Sequence, residues 1–126
     1  MADMSLSGVG IQIHGLVENI PSTISGAILL NLIDQQRRFI ELYTGLTVGS
    51  PTISDRFQLP LINLTIAELL HYMQLVGVDA SSVSIGDFSI SKGQGSNFSD
   101  AANLFRERGI EQLKNVGWRG DMYQSI

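Results

Sequence analysis

The chain has 126 residues, 44% of them hydrophobic and only 16% charged, with a net charge of -4 and no cysteine. This length fits one hydrophobic core, and the missing cysteines exclude disulfides, thiolate metal sites and thiol nucleophiles together. The eight Lys and Arg residues are scattered along the chain, which excludes a salt-sensitive grip on phosphate backbones, although a weakly acidic wall lets DNA slide past without sticking.

A typical soluble domain carries roughly 25% charged residues. With fewer than that and a mean hydropathy of +0.16, the chain is expected to hide part of its outside in partners, against the plainer reading of a monomer covered by Ser, Asn, Gln and Thr. Met1-Ala2-Asp3-Met4 has no basic n-region, and no uncharged apolar run approaches the roughly 20 residues that span a bilayer. Neither export nor membrane insertion is expected, and the cytosol is the favoured compartment.

Residues 1–20 place Gly8, Gly10 and Gly15 among the alternating Val9, Ile11 and Ile13, a pattern that disfavours helix and predicts an extended N-terminal arm. Pro21, Ser22 and Ser25 are start signals for a helix running to about Thr44, with Gly45 as its C-cap. Its apolar face is read from Ile28, Leu32, Phe39 and Tyr43, flanked by Leu29, Ile33 and Ile40, and opposed by Asp34, Arg37, Arg38 and Glu41.

Residues 46–59 read as a connection with one helical turn around 55–58. Pro60 then opens a second helix at its first turn, where a missing N–H costs nothing, and Gly77 closes it after Val76. Ile62, Ile66, Leu69, Met73 and Val76 form one seam, while Leu64, Leu70 and Leu75 lie off it. Apolar residues on nearly the whole circumference predict a helix that is central, or that lies between its own core and a neighbour.

Residues 82–91 read as a β-hairpin. Gly86-Asp87 suits a type II' loop, which sets Ile85 opposite Phe88 and Val83 opposite Ile90, with all four side chains on one face. A two-stranded ribbon is marginal alone, so that face must rest on the helices or on another subunit. Ser99 caps a last helix over 100–116, whose stripe is Ala102, Phe105, Gly109, Leu113 and Val116; Gly117 ends it. The tail 118–126 carries Trp118, Arg119, Met122, Tyr123 and Ile126 without helical period, and such apolar weight at a terminus predicts docking.

The fold expected is therefore mainly α: a bundle of three main helices over 21–117 with one hairpin, between extended N- and C-terminal arms. No constellation of residues converges on a reacting centre, so no enzyme is expected. His14 and His71 lie far apart with no partner at helical spacing, so no metal is assigned, and no cofactor either. The acids sit where a solvated helix face puts them, and Ser91-Lys92-Gly93-Gln94-Gly95-Ser96 lacks the spacing of a phosphate loop. Arg119-Gly120-Asp121 matches an adhesion tripeptide, a length at which matches arise by chance.

Phe39-Ile40-Glu41-Leu42-Tyr43-Thr44-Gly45, the apolar helix over 64–76, the serine-rich segment 83–91 and a final helix with Phe105-Arg106 follow one another in an order that resembles the small head-to-tail connector, or adaptor, proteins of tailed bacteriophages. The resemblance covers residues 32–116 and rests on order and spacing, not on a catalytic signature. The glycine-rich first 20 residues depart from the short start of that family.

The resemblance implies a virion neck protein, assembled in the host cytoplasm, forming a ring of its own copies, usually a dodecamer. Such a ring docks on the portal, meets a stopper or tail-terminator protein, and extends a channel through which genomic DNA passes without sequence-specific binding. It further implies portal docking by Trp118, Arg119, Met122, Tyr123 and Ile126. Subunit contacts are expected through Val83, Ile85, Phe88 and Ile90 of the hairpin and the flanks Leu70 and Leu75. Alternatives are a tail-completion or stopper protein, or a small non-viral helical regulatory or ligand-binding domain.

Overall fold

Capping chemistry defines the second of four helices among the described residues. The computed structural model describes residues 4–18, 24–48, 52–75, 84–85, 88–89 and 97–124. In order these form β1 (Met4–Ser5), α1 (Leu6–Leu16), β2 (Val17–Glu18), α2 (Gly26–Thr44), β3 (Thr52–Ile53), α3 (Asp55–Leu75), β4 (Ser84–Ile85), β5 (Phe88–Ser89) and α4 (Asn97–Gln124). The chain is a mainly helical bundle, with one helix more than the three expected.

At the start of α2 the Ser25 hydroxyl accepts a hydrogen bond from the Ile28 N–H at 3.3 Å. At its end Gly45 adopts a left-handed φ of 71° and donates to the Glu41 carbonyl. Thr44 Oγ1 donates to the Ile40 carbonyl at 2.8 Å and accepts from the Leu46 N–H at 3.1 Å, and the Val48 N–H donates to Glu41 Oε2 at 3.2 Å. These bonds satisfy groups a helix end leaves orphaned and seat Val48 in the core. The buried stripe of α2 is Leu29, Ile33, Gln36, Ile40 and Thr44. It lies beside the expected centre line, so Ile28, Leu32 and Phe39 become its half-buried flank and Tyr43 is exposed.

The helix α3 starts earlier than expected, and Pro60 lies inside it. The proline ring removes the N–H that would reach the Arg56 carbonyl. The start is held instead by the Phe57 N–H on the Ser54 carbonyl at 3.0 Å and by Gln58 Nε2 on the Ile53 carbonyl at 3.1 Å, and Phe57, Pro60 and Leu61 are buried around the site. Burial of two large side chains outweighs one lost helical hydrogen bond. Beyond it Leu61, Ile62, Leu64, Ile66, Ala67, Leu69, Leu70 and Met73 are all buried, so α3 is central.

The helix α4 runs antiparallel to α3, fixed by Asn63 Nδ2 donating to Gln112 Oε1 at 2.8 Å and by Arg106 reaching Glu68 at 4.0 Å. Ala102, Phe105, Gly109 and Leu113 are its buried stripe. A Cβ at Gly109 would lie 2.7 Å from Leu64 Cγ and 3.3 Å from the Pro60 carbonyl oxygen, so glycine sets how close the two helices come. Contrary to expectation, Gly117 does not end α4. The backbone stays helical to Gln124, taking in Trp118, Arg119, Met122 and Tyr123, so no extended C-terminal arm begins at 118; Ile126 lies outside the described residues. A single glycine costs a helix only about 1 kcal/mol and does not stop one that is already formed.

The expected extended arm over 1–20 is also overturned: residues 6–16 form α1. Ser5 Oγ accepts from the Gly8 N–H at 3.0 Å as N-cap, and Val9, Gly10 and Ile13 are buried against the α2 side of the core. Burying Val9 and Ile13 is worth roughly 3–6 kcal/mol, against about 1 kcal/mol for each interior glycine, so packing wins over local propensity. The alternation that suggested strand is broken by Ile11, which is 71% exposed between two buried neighbours.

Among the described residues of the expected arm, extended backbone lies at the two flanks of α1. β1 pairs antiparallel with β3 (Met4↔Ile53, Ser5↔Thr52), and β2 pairs with β4 (Val17↔Ile85, Glu18↔Ser84). Of the ten-residue hairpin expected over 82–91, four residues are described: β4 and β5 pair antiparallel in the register Ser84↔Ser89 and Ile85↔Phe88, with β4 in the middle of the three-stranded order β2-β4-β5. Val83 and Ile90 lie outside the described residues.

Candidate functional site

Most described cations are used inside the chain. Asp34 takes Arg37 at 2.9 Å and Arg38 at 3.0 Å, and Arg37 also reaches Glu41 at 3.2 Å. Arg106 stands over the Phe39 ring at 5.3 Å besides facing Glu68, Arg108 covers Phe105 at 5.3 Å, and Arg56 covers Phe57 at 4.9 Å. A guanidinium spread on a ring or held between carboxylates orders a helix surface and is not presented as a free row of positive charge.

Among the described residues no group of three His, Cys, Asp or Glu side chains is placed to hold a metal ion, and no helix is long and apolar enough to cross a membrane. Shallow open depressions run along α4, one lined by Leu104, Glu107, Arg108, Glu111, Gln112 and Asn115, and another involving Arg106, Ile110 and Lys114. Their walls come from one helix, so they lack the convergent polar groups of a small-molecule site.

What the surface does offer is large apolar side chains. Leu42 is 86% exposed and Leu75 85%, with Ile11, Leu59, Tyr43, Leu16 and Leu30 less so. Successive helix residues turn by about 100°, so a residue midway between two buried positions points away from the core. Leu42 lies between Ile40 and Thr44, Ile11 between Val9 and Ile13, and Leu59 between Phe57 and Leu61; all six of those flanking residues are buried. These positions therefore face outward by geometry, on three different helices. Phe39 and Tyr43, stacked at 5.8 Å, add an aromatic pair to the α2 surface.

The two flanks expected to contact neighbours separate here. Leu75 is exposed, whereas Leu70 is fully buried and belongs to the bundle's own core, because α3 is packed on more sides than its off-seam position indicated. Leu42, Ile11 and Leu59 were missed, although each stands two residues from apolar positions that a helical period assigns to the core. Of the hairpin, Ile85 and Phe88 are brought opposite each other across β4 and β5. Trp118, Arg119, Met122 and Tyr123 share the α4 backbone.

No family model matches the chain, and neither the curated proteins nor the solved structures contain a significant match to it.

Proposed function

We propose that the chain is a structural neck protein of a tailed bacteriophage, a head-to-tail adaptor whose copies form a ring under the portal and extend the DNA channel. The observation that carries this reading is the set of outward-facing apolar side chains on separate helices, led by Leu42 and Leu75, in a chain with only 16% charged residues. Isolated exposed leucines are ordinary, but several on different elements, with little charge between them, suit covered faces. A closed ring is built from heterologous contacts, in which one patch of a subunit meets a different patch of the next. Apolar positions distributed over α1, α2 and α3 fit that demand better than a single self-complementary patch would.

The end of α4 suits portal docking. Continuing the Asn63–Gln112 pairing down the antiparallel helices brings Asp55 level with Gly120, so the helix backbone beyond Gly120 extends past the start of α3. Truncation after Gly120 therefore leaves the stretch of α4 level with α3 in place while removing Met122 and Tyr123. The net charge of -4 makes the ring wall weakly repulsive to DNA, which suits passage without sticking.

The test is electron microscopy and sizing of the purified chain mixed with portal particles. Rings on the portal's tail-side face, lost on truncation after Gly120 with an unchanged melting curve, are the expected result. A monodisperse monomer that ignores portal particles sinks the reading.

A further inference from the structure

Three features of α1 point the same way. Two of its glycines are not demanded by the packed helix: a Cβ on Gly10 would meet Leu29 Cδ2 and Ile33 Cδ1 at 3.7 Å, an ordinary contact, and one on Gly15 would meet nothing within 4 Å. The segment thus keeps low helix propensity at positions where alanine fits. Its outward side leaves Ile11 71% and Leu16 39% exposed, so the helical state satisfies only part of the segment's apolar character. Finally, both ends are tethered by ladders of two residue pairs, β1 to β3 and β2 to β4, so the helix between them can come away without the chain leaving the bundle.

We propose that α1 is a releasable strap: residues 6–16 lift from α2 as a unit, in an opening distinct from global unfolding, and uncover the Leu29 and Ile33 seam. Local openings occur where a segment contributes little to the core and has weak intrinsic stability, and α1 meets both conditions more closely than α3, which is buried on nearly all sides. Opening turns Val9, Ile13, Leu29 and Ile33 from core into available apolar surface. The closed strap therefore withholds surface that only the opened copy presents. The inference concerns the isolated chain and stands whether or not that chain builds a ring.

Native-state hydrogen exchange on the full chain tests it. The α1 amides are expected to exchange at least about 10-fold faster than those in the middle of α3, with a weaker dependence on denaturant, because a local opening exposes less surface than global unfolding. Gly10→Ala is expected to slow α1 exchange about 5-fold, the ratio given by the propensity difference between the two residues. Identical rates and denaturant slopes for α1 and α3 overturn the proposal, as does a Gly10→Ala variant whose α1 exchange is unchanged. A second measurement uses the absence of native cysteine. Val9→Cys should be alkylated by iodoacetamide faster than Met73→Cys, both positions being fully buried in the closed chain; one shared rate for the two thiols also overturns it.

Discussion

Gly10 in α1 and Gly109 in α4 are both buried helical glycines, yet they are there for opposite reasons. At Gly109 a Cβ would press to 2.7 Å on Leu64 Cγ, so the glycine is the condition for α3 and α4 to pack at their observed distance. At Gly10 the nearest side-chain atoms stand at 3.7 Å, and a methyl group would simply complete the contact. One helix pair is built around its glycine, and the other tolerates one. Glycine content alone therefore says little about where a chain is rigid; the neighbour on the far side of the missing Cβ decides.

The strongest way to probe this contrast is at the α3–α4 contact itself. Leu64→Ala is expected to destabilise by about 2–5 kcal/mol, since Leu64 is fully buried against Gly109, and urea unfolding reads it directly. Gly109→Ala is expected to cost about 1–3 kcal/mol by overpacking. In the Leu64→Ala background that cost should largely vanish, because the atoms being struck are gone. Additive losses in this double-mutant cycle would mean that the contact does not limit the helix approach.

Gly10→Ala should have the opposite sign, stabilising by up to about 1 kcal/mol in the same unfolding assay. A loss there would place Gly10 in the same class as Gly109. Thr65, fully buried in α3 with its hydroxyl unpartnered, tests how complete the tight region is. Replacement by the near-isosteric Val should stabilise by about 1 kcal/mol, and a lower melting temperature would reveal a partner for the hydroxyl. The smallest effect on stability is expected at Leu42→Gln, within about 0.5 kcal/mol because the side chain is outside the core. Its consequence should appear instead as weakened self-association in sedimentation, and undiminished assembly would remove Leu42 from any subunit contact.

Local chemistry was legible wherever a residue's role depended on near neighbours in sequence. Ser25 and Gly45 bracket α2 because capping needs only groups within one turn. The stripe Ala102, Phe105, Gly109, Leu113 followed from helical period, and so did the burial of Ile62, Ile66, Leu69 and Met73. The α1 helix was not legible, since glycines and an alternating pattern argue for extended chain until the burial of Val9 and Ile13 against α2 is known. Pro60 misled for a related reason: its preference for a first turn is local, while the fixing of the preceding turn by Ser54, Ile53 and the burial of Phe57 involves the bundle.

The candidate surface shows the same division. Leu70 and Leu75 look alike as off-seam leucines on one helix, but one is fully buried and the other 85% exposed. By itself the sequence determined that the chain is helical, short of charge, without cysteine and equipped with well-capped α2, because these depend on composition and on contacts within a turn. Only the tertiary structure decided that the glycine-rich start is a helix, that α4 passes through Gly117, and which leucines face outward. The first and the last of those outcomes turn on apolar area buried between segments distant in the chain, a quantity that no local pattern contains.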